Sequence, residues 1–200
     1  MSPPDNEFPA AVELAALLGR TDDVAVGVTR FVVFSTGFQF ALAVRVRTAR
    51  PEFILGGLHM RIGSHPHPGV ELPLEERLLL GLEYADGRRA STLGDIRTLI
   101  ASPSGGEADL VLFQQGGGGD DRSVEHDYWV APLPPDGPVT FVLAWPAFGM
   151  PEARTVLPGD IIRAAADRSQ LLWPPQPPAE PLRRTPPPRP STGWFADPSD

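Results

Sequence analysis

Three histidines, His59, His65 and His67, fall within nine residues of one another. His65-Pro66-His67 is an H-x-H pair. In extended backbone, residues i and i+2 point the same way, so two neutral imidazoles there could grip one Zn²⁺. His59 or a carboxylate would complete the ligand set. Pro66 and Pro68 kink the segment, and a zinc site needs further ligands and partners that orient them. The competing reading is a surface loop whose polar rings face water.

A second cluster follows Gly116–Gly119. It holds Asp120, Asp121, Glu125, His126 and Asp127. Carboxylates after flexible backbone could offer oxygens to Ca²⁺, but the EF-hand spacing is not met. The cluster reads as an acidic hairpin loop with a glycine connector. The glycines do not form a phosphate loop, because no Gly-Lys-Ser/Thr follows and the chain has no lysine. Nucleophilic catalysis has little support. There is no G-x-S-x-G, and Ser102 and Ser104 have no base near them in sequence. Glu75-Glu76 and Asp22-Asp23 read as solvated turn residues.

The C-terminal stretch offers recognition rather than chemistry. Residues 173–200 hold ten of the 25 prolines, so this stretch is expected to be a disordered, polyproline-like tail. From Arg184 to Pro190 it fits R-x-x-P-x-x-P, which can dock in an aromatic groove. Trp194-Phe195 is the sharper signal, since disordered segments are poor in aromatics. Arg184, Trp194 and Phe195 are the candidate partner-binding residues, docking on a protein partner or back on their own domain.

These groups must be positioned by strands. Phe38, Phe40, Leu42, Val44 and Val46 alternate without a break with Gln39, Ala41, Ala43, Arg45 and Arg47. Period-two alternation sends one set to a core and the other to water. A sheet with one wet face is usually antiparallel. Val24–Phe34 pairs with this strand through a hairpin at Ser35-Thr36-Gly37. Arg77–Tyr84 returns through Asp86-Gly87 into Arg88–Leu93, the strongest short hairpin signal in the chain. Leu110–Phe113 reads as a short strand stopped by the glycines. Glu125–Leu133 and Val139–Trp145 flank Pro134-Pro135-Asp136-Gly137-Pro138, and Arg154–Leu157 reads as a last strand.

Two short helices are expected. One is 9–18, with Pro9 at its start and Gly19 at its end. The other is Asp160–Arg168, with Asp160 as N-cap. Residues 1–8 are expected to be disordered, 53–73 to be a connecting loop and 94–108 to be irregular. Seven or eight short strands without long intervening helices point to a mainly β fold, an antiparallel β-sandwich over residues 9–172.

Composition narrows the setting. No run of 18 apolar residues is present, so no membrane span is expected. The N-terminus is polar and acidic, unlike a secretory signal. Cysteine is absent, which removes disulfides, thiolate metal sites and a Cys nucleophile. The simplest location is the cytoplasm. The net charge is −8, and the tail's three arginines balance its three acids. The negative excess therefore sits in the folded part and repels phosphate backbones, so nucleic acid is not an expected partner.

The stretch Asp127-Tyr-Trp-Val-Ala-Pro-Leu-Pro-Pro-Asp-Gly-Pro-Val-Thr-Phe141, ending at Trp145-Pro146, resembles a recurring segment of uncharacterised soluble proteins from high-GC actinobacteria. The similarity extends to the Ser35-Thr36-Gly37-Phe38 hairpin. The strand–Pro-Pro-x-Gly–strand arrangement resembles edges of immunoglobulin-like sandwiches. Neither resemblance implies an activity or a catalytic residue.

The expectation is thus a non-enzymatic cytoplasmic interaction module with no cofactor, an immunoglobulin-like sandwich using loops 53–73 and 114–127 and the tail. The alternative is a metal-binding protein or metal-dependent enzyme using His59, His65 and His67.

Overall fold

The computed structural model describes residues 2–49, 57–62, 72–93 and 109–175. The fold is mainly β and antiparallel, with two helices among the described residues, and it does not close into a barrel. One sheet holds β2 (Ala10–Val12), β3 (Ala16–Arg20), β4 (Val24–Phe34), β5 (Gly37–Val46), β8 (Val111–Gly119) and β9 (Ser123–Ala131). Its order is β2-β4-β5-β9-β8, with β3 also on β4. A second sheet has the order β11-β10-β6-β7, from β6 (Leu79–Tyr84), β7 (Arg89–Ser91), β10 (Pro138–Trp145) and β11 (Met150–Pro158). A two-stranded ribbon joins β1 (Glu7–Phe8) to β12 (Gln170–Leu171).

The alternating residues do what their spacing predicts. Phe38, Phe40, Leu42, Val44 and Val46 are buried, as are Leu80, Leu82 and Tyr84 and, on β10, Val139, Phe141, Leu143 and Trp145. The two sheets share one core. Phe141 meets Phe40 edge-on at 5.1 Å and Phe31 edge-on at 6.3 Å. Tyr128 stacks on Phe40 at 5.5 Å. Offset and edge-on geometries suit the ring quadrupoles and add to the gain from burial. The Tyr84 hydroxyl is inside as well and donates to the Pro132 carbonyl at 2.7 Å, and burial pushes its pKa far up.

Several expected elements differ. Residues 10–12 and 16–20 are strands on β4, not a helix over 9–18. A helix of ten residues gains little by itself, whereas the open edge of β4 offers a ladder at once. Leu18 is buried and Leu17 exposed, a strand pattern where one helical face was expected. Glu7–Phe8, placed by sequence in a disordered N-terminus, pairs with Gln170–Leu171, and Asn6 is buried. β8 runs through Gly116–Gly119 instead of stopping before them, because β9 lies opposite and supplies partners as far as Val124. Within the expected loop 53–73, Gly57–Ile62 is helix α1. Helix α2 (Gly159–Ala166) starts after Pro158, so Asp160 lies in its first turn and is not its cap.

The Asp86-Gly87 hairpin forms: the Tyr84 amide donates to the Arg88 carbonyl at 2.9 Å, and the Gly87 amide donates to the Tyr84 carbonyl at 3.0 Å. Gly87 has φ +88° and Asp86 does not share a positive φ, so this is a three-residue loop ending in a left-handed glycine, not the two-residue turn expected. Residues 94–108 and the tail beyond Pro175 lie outside the described residues.

Leu42 is fully buried between the two sheets' inward rows. Leu42→Ala should cost about 2–5 kcal/mol through lost burial and a cavity. Urea unfolding measures it, and an unchanged midpoint would place the wrong face of β5 inward.

Candidate functional site

Strand β9 is where the two loop regions singled out by sequence converge. Its residues alternate strictly, so Glu125 and Asp127 leave on one face and Val124, His126, Tyr128 and Val130 on the other. Each face carries a polar cluster.

On the inner face, His126 is fully buried. Its Nδ1 lies 2.6 Å from the Gln114 side-chain amide on β8, and its Nε2 lies 2.9 Å from Nδ1 of the half-buried His59 on α1. With the amide nitrogen on Nδ1, Gln114 donates to His126, which carries its proton on Nε2 and donates it to His59. Room for the ring comes from β8: a Cβ on Gly117 would lie 2.6 Å from His126 Cδ2.

Six residues of helix could not hold themselves, so α1 is held by its contacts. Arg61 is buried, donates to Glu76 Oε2 at 2.8 Å and to the Gly57 carbonyl at 3.0 Å. The Tyr128 hydroxyl donates to the Ile62 carbonyl at 3.3 Å, and the Leu78 amide donates to the Arg61 carbonyl at 2.8 Å. These bonds fix His59 over His126.

The outer face carries four charges. Register between β4 and β5 slips after Thr29, so Arg30 and Phe31 together oppose one residue. This is a β-bulge, and Arg30 has φ +53°. The left-handed first position of such a bulge ordinarily belongs to glycine. The bulge turns Phe31 into the core and sends the Arg30 side chain across β5 to β9. There it donates to Glu125 Oε2 and Asp127 Oδ1, both at 3.1 Å. Only Ala41 and Ala43 separate the two strands on β5, opposite Asp127 and Glu125. Arg45 also pairs with Glu125. The Arg45 guanidinium, and more weakly that of Arg30, holds the Glu125 carboxyl below the usual carboxylate range.

Three of the cluster's four acids have partners within the fold. Glu125 and Asp127 pair with arginines, and Asp120 accepts the Arg122 and Ser123 backbone amides at 2.8 Å each, which lowers its pKa. These contacts make the segment a structured hairpin. Of the residues nominated for metal, His59 lies against His126. His65 and His67 are outside the described residues, as are Arg184, Trp194 and Phe195. Among the described residues, no three His, Cys, Asp or Glu side chains gather as metal ligands.

The sequence reading placed His126 only in the acidic loop cluster, not inside the fold, and it missed Arg30. His126 had a signal: it sits in the inward phase of a strand otherwise filled by Val124, Tyr128 and Val130. Arg30 had a fainter one, the parity slip between Val28 and Phe31. No family model matches the chain, and no significant match is found to curated proteins or to solved structures. No helix among the described residues is long and apolar enough to cross a membrane.

Because Glu125's folded-state pKa lies below its unfolded value of about 4.3, its contribution is complete above that value. It is lost as pH falls through the lowered folded value. Glu125→Gln should therefore be less stable than wild type near neutral pH, by no more than about 1 kcal/mol for so exposed a pair. The gap should close in acid. Urea melts of both proteins across pH test this, and a gap that persists in acid would refute it.

Proposed function

We infer that the chain is a non-enzymatic binding module of the cytoplasm, an immunoglobulin-like sandwich like those of the soluble actinobacterial proteins it resembles. Its contact surface is the outer face of β4, β5 and β9, with Arg184, Trp194 and Phe195 of the tail as a second contact segment. The observation that carries the reading is Arg30 at φ +53°. A left-handed non-glycine residue costs about 1–2 kcal/mol. Exposed ion pairs return about 0–1 kcal/mol each, and the Arg30 side chain is 57% exposed. Stability alone would favour glycine here. Strain retained at a bulge and aimed at a charged surface is the pattern of a functional position.

The surface mixes both signs, with Arg30 and Arg45 beside Glu125 and Asp127. That suits a polypeptide carrying both charges better than a phosphate backbone, which the chain's net charge of −8 also disfavours. The absence of cysteine speaks against a small disulfide-built secreted scaffold. Arg30→Gly should keep stability within about 1 kcal/mol of wild type, since relief of strain offsets the lost pairs and the added chain freedom. The same variant should lose a partner protein that wild type retains in affinity capture from the native cell. Identical captured proteins, or a marked loss of stability, would make Arg30 a structural residue and sink the reading.

A second reading is favoured by one distance, the 2.9 Å between His59 Nδ1 and His126 Nε2. If the Gln114 amide is turned to accept from Nδ1, His126 Nε2 becomes a lone pair aimed at the same point as His59 Nδ1. A hydrogen-bonded second ring nitrogen is the usual companion of a metal-bound histidine. In this reading His59 and His126 bind a metal together, joined by His65 or His67. Added Zn²⁺ should then raise the melting temperature of the wild type and leave His126→Phe unmoved. An equal response from both proteins would end the metal reading.

A further inference from the structure

We propose that the cleft between the β1–β12 ribbon and the Ser35-Thr36 turn is a binding site for a guanidinium carried on a short aliphatic stem. The proposal does not rest on the function proposed for the outer face of β4, β5 and β9. A cavity of about 630 Å³ opens in this cleft, with Pro4, Asn6, Glu7, Thr36, Leu171 and Pro175 among its lining residues. Glu7 and Leu171 are register partners, so their side chains leave the ribbon on one face. Concave sites of this size, with apolar surface beside a few polar groups, are the usual form of a small-molecule pocket.

The polar side selects a cation. Glu7 is half-buried, and Ser35 holds both of its carboxylate oxygens. The Ser35 amide donates to Oε2 at 2.9 Å and the Ser35 hydroxyl donates to Oε1. These bonds fix the carboxylate plane and use two of its roughly four lone-pair positions. Glu7 enters no ion pair among the described residues. Arg168 stands next in sequence to Ser169, which also lines the cavity, but its guanidinium is turned to the Ala11 carbonyl at 3.4 Å. A fixed carboxylate with no counter-ion and a lone pair open on each oxygen matches the two parallel N–H groups of a guanidinium fork. An anion would meet the same carboxylate and be repelled.

Asn6 adds an acceptor that the fold itself does not use. It stands in the turn before β1 and is only 7% exposed. Its side-chain nitrogen donates to the Trp173 carbonyl at 2.8 Å, while its Oδ1 accepts from no described residue. A buried amide oxygen costs free energy unless something donates to it. This one is not sealed from solvent, and the cavity is the opening that Asn6 lines. Leu171, 62% exposed, with Pro4 and Pro175, offers apolar surface for the stem. The ligand can be a free guanidino compound or an arginine of the chain's own tail. Arg183, Arg184 and Arg189 follow the lining residue Pro175 in sequence and offer the same chemistry.

The test is an amide NMR titration of the full chain with butylguanidinium, and with butyltrimethylammonium as a cation that lacks N–H donors. Butylguanidinium should shift the Ser35 amide and the Asn6 side-chain amide saturably, with a Kd of about 1 mM or tighter. Butyltrimethylammonium should bind about tenfold more weakly or worse. Glu7→Gln keeps partners for both Ser35 groups and removes the charge. It should weaken butylguanidinium about tenfold or more while the melting temperature stays unchanged. If a tail arginine fills the site, wild type will resist the probe, and a full-length variant with Arg183→Gln, Arg184→Gln and Arg189→Gln will bind it. That outcome supports the site and places its ligand in the chain. No saturable shift in either protein would overturn the proposal. So would equal affinity for the two cations, or a folded Glu7→Gln that binds like wild type. If Glu7→Gln does not fold, the comparison of the two cations on the protein that binds decides.

Discussion

The contact on which the two sheets depend is the edge-on meeting of Phe141 with Phe40 and Phe31, at 5.1 and 6.3 Å. Phe40 is reached by simple alternation along β5. Phe31 is not, because it stands three positions after Val28 and a regular strand would turn it outward. The bulge at Arg30 and Phe31 restores the inward phase for Phe31 and Val33. One extra residue thus completes the aromatic core, and the residue displaced outward is an arginine with positive φ. Core packing and the charged outer face are two consequences of the same backbone irregularity.

Strand β9 transmits that arrangement. Its pairing with β5 places Asp127 opposite Ala41 and Glu125 opposite Ala43. Small residues on the intervening strand let an arginine on β4 reach carboxylates on β9. The strand's other face faces α1, where a buried histidine, a buried arginine and a buried tyrosine hydroxyl hold six helical residues in place. Buried polar groups need partners, and here the partners come from distant parts of the chain. The helix is a product of those bonds and not of its own propensity.

Arginine is the only strong base in the chain, and it sets the behaviour of the acids. Glu83, Asp86 and Glu125 are each held low first by an arginine side chain. Planar guanidiniums can bridge two acceptors, as Arg30 does between Glu125 and Asp127, and two can share one acid, as Arg89 and Arg154 share Glu83. What reads in sequence as a chain with surplus negative charge is, on these two faces, a set of paired charges.

Alternation by itself determined β5, β6 and β10 and the row of residues each would bury, because a period of two is a local property of the backbone; β4 was legible as a strand, but the bulge decided which of its later residues turn inward. The sequence itself also located the Asp86-Gly87 hairpin, since glycine is needed wherever a turn takes positive φ. The N-terminal strands, the passage of β8 through its glycines and helix α1 were decided by tertiary structure. Each is too short or too glycine-rich to choose a conformation alone, and takes the one that a neighbour's hydrogen bonds reward. The sites divide the same way. His59 was visible as a residue type, but its partner His126 stands 67 positions away, and only the docking of α1 on β9 brings the rings together. Arg30 and Glu125 are 95 positions apart, and Arg89 and Arg154 meet only through Glu83, because sheet register, which no short stretch of sequence contains, sets which side chains share a face.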